Sequence, residues 1–266
     1  MKLLVMIPTY NEKENVANLV EQIFSLKLPP DDTIRIVIVD DNSPDGTGKI
    51  ADELAKRYSQ NIHVIHRFTE RGRGTAGIAG FRYALSQDVD AIMEMDADFS
   101  HDPKYIPVFL GLIRYYDVVI GSRFVEGGEQ LDREFSRELI SVFANKIYRF
   151  ILGCQFRDIS GGYKCYRKEA LAALDFGDFF SHGYPVGMET IYRLYKKGFS
   201  FVEIPIVFPN RKYGASKFKM KEAWNAVAVA FKLTWRFGSS GGVRKYVRRV
   251  LGIPKPHTDL RENKGD

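Results

Sequence analysis

Only two cysteines, Cys154 and Cys165, occur in the 266 residues. They are not arranged as a metal knuckle, so both are expected to be reduced, ordinary residues. Long hydrophobic runs are missing too, because no uninterrupted apolar stretch approaches the roughly 20 residues that cross a bilayer. The start of the chain is unlike a secretion signal: Met1-Lys2-Leu3-Leu4-Val5-Met6-Ile7 stops at Pro8 and runs into polar residues. A cytoplasmic protein is expected. Acidic residues are absent from 223–258, where Lys232, Arg236, Arg244, Lys245, Arg248, Arg249 and Lys255 all fall. The net charge of +6 is therefore concentrated near the C-terminus. No internal repeat is present.

With 45% hydrophobic residues the chain has enough apolar material for a full core. Short apolar runs at 3–7, 34–39, 62–65, 91–95 and 118–120 read as strands. Helical patterns lie between them at 14–26, 47–58, 75–85 and 103–114. This alternation predicts an α/β fold with a mostly parallel central sheet and helices on both faces. Asp45-Gly46 makes a turn, after which Thr47 is placed to cap its helix. Beyond residue 121 the rhythm loosens, with helices expected at 137–152 and 186–197 and a strand at 201–207. A last helix over 221–237 precedes Gly238-Ser239-Ser240-Gly241-Gly242, a flexible break. The expected organisation is one domain over 1–220, followed by an amphipathic helix and basic tail over 221–266.

The polar residues that follow these strands carry the chemistry. Pro8-Thr9-Tyr10-Asn11-Glu12 follows the first strand, Asp40-Asp41-Asn42-Ser43-Pro44-Asp45-Gly46-Thr47 the second, and Asp96-Ala97-Asp98 the fourth. In a parallel sheet these ends share one edge, which is where open α/β sheets bind ligands. An Asp-x-Asp triplet by itself is common in turns. Next to the other two clusters it suits a hard divalent cation that leaves coordination positions for phosphate oxygens. Tyr10 can cover a base, while Glu12 and Asp41 can accept hydrogen bonds from base or ribose. Together the three clusters favour a nucleotide site.

These segments, with Gly121-Ser122-Arg123 and Tyr213-Gly214-Ala215-Ser216-Lys217, resemble a family 2 glycosyltransferase of the GT-A (nucleotide-diphospho-sugar transferase) fold. More narrowly, residues 1–220 look like the dolichyl-phosphate or polyprenyl-phosphate mannose synthases. The resemblance implies that Pro8, Tyr10, Glu12, Val39 and Asp41 surround the nucleotide, usually GDP. It also implies that Asp96, Ala97 and Asp98 contact the sugar nucleotide. Asp98 would be a main ligand of Mg²⁺ or Mn²⁺, with Asp96 beside it and Ser100 standing where some relatives have Gln. Arg123, whose fork suits phosphate, would meet both donor and acceptor phosphates, and Arg137 and Ser141 would complete the acceptor pocket. Arg137 and Ser141 are four residues apart, hence on one helix face. Arg211 and Lys217 resemble a lid that grips the diphosphate, with Gly214 as its hinge.

Asp158, within Arg157-Asp158-Ile159-Ser160-Gly161-Gly162-Tyr163, falls where relatives carry an Asp-containing acceptor loop, so the resemblance implies that it holds the sugar or orients an arginine. Glu189 is similarly placed; each reads equally as a cap or salt-bridge residue. Two departures stand out. Leu131-Asp132-Arg133-Glu134-Phe135-Ser136 lacks the Asn-Trp pair often found before the arginine matching Arg137. In Arg71-Gly72-Arg73-Gly74-Thr75-Ala76, Arg73 stands where relatives usually have Leu, and the turn and helix start are expected to survive.

The resemblance implies an inverting, metal-dependent hexosyltransferase moving mannose from GDP-mannose to a polyprenyl (dolichyl-type) phosphate. A phosphate monoester is already an anionic nucleophile, so positioning and charge stabilisation are the enzyme's work. His101, at a helix start beside Pro103, reads as a local hydrogen-bonding residue rather than a base. Another sugar nucleotide, such as UDP-glucose, and a noncatalytic sugar-nucleotide-binding subunit are the alternatives. A lipid acceptor calls for peripheral contact at the cytoplasmic face of a membrane, or for an anchoring partner protein. Ala223, Trp224, Val227, Ala228, Phe231, Leu233 and Trp235 could supply an interfacial face, or equally pack a terminal helix on the core. No nucleic-acid fold or aromatic platform accompanies the basic tail, so a nucleic-acid partner is not expected.

Overall fold

The computed structural model describes residues 1–69, 71–131, 135–209 and 220–238. In chain order the elements are β1 (Lys2–Thr9), α1 (Val16–Phe24), β2 (Thr33–Asp40), α2 (Thr47–Arg57), β3 (Ile62–His66), α3 (Arg73–Ser86) and β4 (Ala91–Glu94). After a 3₁₀ turn (Pro103–Tyr105) come α4 (Ile106–Leu112), β5 (Val118–Ser122), β6 (Glu129–Gln130), α5 (Phe135–Leu152), β7 (Lys164–Arg167) and α6 (Lys168–Ala172). α7 (Pro185–Lys196), β8 (Phe201–Pro205), β9 (Val207–Phe208) and α8 (Met220–Phe237) follow.

Seven strands form one sheet in the order β3-β2-β1-β4-β7-β5-β8, while β6 and β9 pair separately. Alternation within β1 explains how one strand serves two cores, since successive side chains point to opposite faces. Leu4 and Met6 enter one core with α3, α5, α6, α7 and α8. Leu3, Val5 and Ile7 enter the other with α1, α2 and α4. Helices therefore cover both faces, as the βαβ rhythm predicts.

The sheet is parallel except at β7, which runs antiparallel to both β4 and β5. Sequence rhythm did not mark this strand, because Lys164-Cys165-Tyr166-Arg167 is short and begins with a lysine. The strand expected over 201–207 is divided instead: β8 pairs with β5, and after Ile206 the chain leaves the main sheet to pair as β9 with β6. Thr47 does not cap α2. Gly46 takes the N-cap position with φ 97°, and the Asp45 carboxylate accepts the Thr47 backbone N–H at 3.0 Å. Both cysteines are buried and unpaired with each other.

α8 packs into the sheet's own core through Val229, Ala230 and Leu233. Its other side exposes Phe231 and Trp235, and α5 exposes Phe143 and Phe150. Among the described residues, no helix is long and apolar enough to cross a membrane.

Candidate functional site

The parallel strands β1, β2, β4 and β5 deliver their carboxyl ends to one edge of the sheet, and antiparallel β7 brings its first residue, Lys164, to the same place. Lys164 sits in register between Glu94 of β4 and Ile120 of β5. Asn11, Asn42 and Phe99 are the non-glycine residues with positive φ among those described, at 58°, 52° and 61°, and each follows one of these strands. For a residue as bulky as Phe99 this conformation costs energy, and such strain collects where loops are shaped for ligands.

The loops after β1 and β2 are tied together. Pro8 and Val39 are register partners. Thr9 Oγ1 donates to Asp40 Oδ1 at 3.0 Å, and the Glu12 backbone N–H donates to Thr47 Oγ1 at 2.8 Å. Glu12 Oε2 also accepts from Asn15 Nδ2 at 2.8 Å. Arg71 lies over the half-buried Tyr10 ring, 5.7 Å from its centroid. Asp41 is buried and accepts from Arg67 Nη1 at 2.7 Å and from the Gly72 backbone N–H at 2.7 Å. Burial raises its pKa above the ordinary carboxylate value even though Arg67 and Gly72 pull it down. Arg67 Nη2 continues to Thr75 Oγ1 at 2.6 Å, so the loop after β2 fixes the start of α3. That start survives the departure at Arg73, as expected.

The Asp-x-Asp pair emerges from β4 with its two carboxylates in different surroundings. Asp98 is buried, and its Oδ1 accepts from Ser100 N at 3.1 Å and Ser100 Oγ at 2.5 Å. Asp96 is half-buried, and its Oδ1 accepts from Arg73 Nε at 2.9 Å and Nη2 at 2.7 Å. Arg73 Nη1 reaches Glu94 Oε1 at 2.8 Å. Burial opposes the charge on Arg73, but Asp96 and Glu94 outweigh it and hold the guanidinium protonated. Ala97 is buried between the two carboxylates.

His101 Nδ1 accepts the Asp96 backbone N–H at 2.9 Å, and the ring stacks on Tyr163 at 4.7 Å between centroids. Burial lowers its pKa despite Asp96 and Asp98. With Nδ1 accepting and the ring kept neutral, His101 is a structural support, not a base. The same ring feels the charges of Asp96, Asp98, Arg73 and Arg123. His101 Nε2 lies 3.9 Å from Asp96 Oδ2, Asp96 is bonded to Arg73 at 2.7 Å, and the Phe208 ring lies 5.7 Å from the His101 ring and 5.1 Å from the Arg123 guanidinium, so side chains from α3 and from the loops after β4 and β5 gather here.

On the far side of β7, Arg123 donates from Nε to Asp158 Oδ2 at 2.7 Å and from Nη2 to Asp158 Oδ1 at 2.8 Å. Burial acts against both charges, yet Asp158 raises the arginine's pKa and Arg123 draws the carboxylate's below the usual value. Of the readings open for Asp158, the one that orients an arginine matches this geometry. Glu203 of β8 secures the loop, accepting from Arg157 N at 2.8 Å and Asp158 N at 2.9 Å. Glu189 is a buried salt-bridge residue, paired with Arg193 at 2.6 Å and accepting from Ser181 N at 2.9 Å.

Arg67 and Lys164 were not singled out by sequence reasoning. The one available signal for Lys164 is a charged residue between Tyr163 and Cys165-Tyr166. Fully buried, it donates to Ile159 O at 3.1 Å, and burial lowers its pKa to about 8 despite Glu94 and Asp158. Arg137 and Ser141 fall within α5, but their side chains, like Arg211 and Lys217 as a whole, lie outside the described residues.

Asp98 and Ser100 are oxygen donors of the kind a hard divalent cation takes. Among the described residues no group of three or more His, Cys, Asp or Glu forms a ready metal cage. Two such donors leave most of a divalent cation's oxygen positions to other groups.

Residues 4–175 match glycosyl transferase family 2. The chain is 39% identical over 253 residues to polyprenol monophosphomannose synthase of Mycolicibacterium smegmatis, covering 95% of this chain and 91% of the relative. Undecaprenyl-phosphate mannosyltransferase of Micrococcus luteus is 41% identical over 218 residues, covering 82% and 87%. Among solved structures, glucosyl-3-phosphoglycerate synthase from Mycobacterium tuberculosis, in complex with Mn²⁺, UDP-glucose and phosphoglyceric acid, aligns with a TM-score of 0.61 at 17% identity, over 91% of this chain and 81% of that one. At that identity the likeness shows the fold, and the fold is GT-A-like. The match over most of the sheet, and the mannosyltransferases related along nearly the whole chain, place this protein in glycosyltransferase family 2.

Proposed function

We propose that the protein transfers mannose from GDP-mannose to the phosphate of a polyprenyl lipid, with inversion at the anomeric carbon. The observation that carries this reading is the placement of Asp96, Arg73 and Arg123 about His101: Asp96 lies 3.9 Å from its Nε2 and 2.7 Å from Arg73, and Phe208 is shared between His101 and Arg123. It occurs in a chain 39% identical to a polyprenol monophosphomannose synthase over almost its full length. Carboxylates on one side and an arginine on the other suit a reaction in which one phosphate attacks while a diphosphate leaves.

Pro8, Tyr10, Glu12, Val39 and Asp41 would hold the nucleotide, and Asp96 to Asp98 the sugar end of the donor. Asp98 would hold Mg²⁺ or Mn²⁺, which would supply charge neutralisation on the departing GDP. A phosphate oxygen of the acceptor forms the new bond to the anomeric carbon as the bond to the β-phosphate oxygen breaks. No proton needs to move, which agrees with the absence of a base role for His101. Asp158 occupies Nε and Nη2 of Arg123 and fixes the plane of the guanidinium, and Nη1 would meet the acceptor phosphate. Arg137 and Ser141 would complete that pocket, and Arg211 and Lys217 would close over the diphosphate.

The lipid acceptor requires a membrane surface. Trp235 is 91% exposed and Phe143 and Phe150 are each 66% exposed, on α8 and α5. The exposure of these aromatic rings, with Lys232 and Arg236 flanking Trp235 on α8, supports peripheral, interfacial docking. The basic residues beyond 238 would add electrostatic attraction to an anionic surface, with or without an anchoring partner.

The experiment is incubation with a panel of labelled sugar nucleotides and short polyprenyl phosphates plus Mn²⁺, followed by product mass. A hexosyl-phosphate lipid formed from GDP-mannose is expected. A product only from UDP-glucose would replace the donor assignment, and no lipid product from any donor would overturn the reading.

A further inference from the structure

Asp158 grips Arg123 along one edge of the guanidinium, through Nε at 2.7 Å and Nη2 at 2.8 Å. Two bonds to one carboxylate leave a hinge, because the group can still tilt about the line that joins them. Aromatic rings stand against that tilt. The guanidinium carbon lies over the Phe124 ring, 5.0 Å from its centroid, and over the Phe208 ring at 5.1 Å. Both distances fall within the roughly 6 Å at which a ring face attracts a cation. Phe124 follows Arg123 in the chain, so its contact comes with the backbone. Phe208 arrives from β9, and its place is itself fixed. It is the register partner of Gln130 in β6, and its carbonyl accepts the Leu131 N–H at 3.0 Å. The neighbouring Val207 N–H donates to Tyr105 Oη at 2.8 Å. The Phe208 ring meets His101 edge-on, with centroids 5.7 Å apart and planes at 68°. His101 is in turn stacked on Tyr163 and bonded to the Asp96 backbone, so it forms a wall for that ring. A Cβ on Gly128 would come within 2.6 Å of Ser122 O and 2.8 Å of the Arg123 carbonyl carbon. Glycine there lets β6, and with it β9, lie directly against the backbone of Arg123.

We propose that Phe208 is a positioning residue for acceptor binding: its ring face holds the Arg123 guanidinium by a cation–π contact and stops it tilting about its bonds to Asp158. The fork then meets the acceptor phosphate in one orientation. Directed N–H donors bind phosphate best when their plane is set beforehand, and a group already confined loses less freedom when the ligand arrives. Burial strengthens the contact, since the Arg123 side chain is 9% exposed and little water screens it from the ring. The inference rests on the acceptor role proposed above for Arg123, but not on the identity of the sugar.

The test is a calorimetric titration of the full chain with a short polyprenyl phosphate in the presence of GDP and Mn²⁺, with KM values for acceptor and GDP-mannose measured beside it. Position 208 is filled in turn with phenylalanine carrying one, two or three ring fluorines, which drain negative charge from the ring face while nearly keeping its shape. Acceptor affinity is expected to fall step by step along this series, to roughly tenfold weaker at the last member, the scale of a desolvated cation–π contact. Phe208→Leu should weaken the acceptor as much, and Phe208→Tyr should bind it as wild type does. KM for GDP-mannose should stay within about twofold throughout, because the loss is confined to the acceptor. General damage to the fold would weaken donor and acceptor together and would not grade with fluorine number. Flat acceptor affinity along the series, or wild-type affinity in Phe208→Leu, would overturn the proposal; if Arg123→Lys still weakens the acceptor in that case, the acceptor site itself stands. No effect of Arg123→Lys, or no binding of the lipid phosphate by any form, would remove Arg123 from the acceptor site and the role of Phe208 with it. Graded affinities without a lipid product from any sugar nucleotide would remove the transfer reaction and leave the Phe208 assignment standing.

Discussion

Asp158 grips Arg123 with both carboxylate oxygens, at 2.7 and 2.8 Å, and also accepts the backbone N–H of the same residue at 3.1 Å. Three bonds from one buried side chain fix both the strand end and the guanidinium plane. Asp158→Ala is expected to cost about 3–5 kcal/mol in urea unfolding, because it leaves a buried arginine without its counter-charge. Arg123→Lys should fold better than Asp158→Ala, since an ammonium keeps the charge, yet should raise KM for the polyprenyl phosphate because it lacks the fork. Equal acceptor KM for Arg123→Lys and wild type would remove Arg123 from the acceptor site.

Asp98→Asn should lower kcat/KM with GDP-mannose by at least about 2.7 kcal/mol of transition-state stabilisation, the size of one preorganised electrostatic contact. Initial rates at saturating Mn²⁺ check this. Turnover near wild type would show that Asp98 is not the metal-holding carboxylate.

Lys164 gives a pH signature. Its folded pKa is about 8, against 10.5 for an ordinary lysine, chiefly through burial. Between these values the unfolded chain binds the proton and the folded one releases it, so stability rises with pH across about 8 to 10.5 and this gain is absent below 8. The slope attributable to this residue approaches about 1.4 kcal/mol per pH unit. Chemical denaturation at several pH values in that window should therefore show wild type gaining more than Lys164→Met. Parallel curves would contradict the assignment.

Membrane docking through α5 and α8 predicts binding to anionic liposomes that weakens as salt is raised, through the basic tail. Trp235→Ala with Phe150→Ala should reduce sedimentation with liposomes while leaving the melting temperature within a few degrees of wild type, because both side chains are exposed. Salt-insensitive binding, or binding unaffected by both substitutions, would place the contact elsewhere.

The sequence by itself determined the two-sided α/β architecture, because runs such as Leu3-Leu4-Val5-Met6-Ile7 are apolar on both alternating faces and can only be covered by helices on each side. It also determined which residues meet at the edge, since strand ends in a parallel sheet line up once the strands are known. Both follow from local periodicity. Tertiary structure decided the rest. The antiparallel insertion of β7 between β4 and β5 depends on pairing across tens of residues, and it alone brings Lys164 to the site. The partners of the charged residues were equally out of reach. Arg73 reads in the sequence as a departure in a glycine turn, and Asp158 as one of several loop carboxylates. Only the closed sheet edge shows Arg73 on Asp96 and Asp158 on Arg123, because which charges neutralise one another is set by distance in space and by the cost of burying either alone.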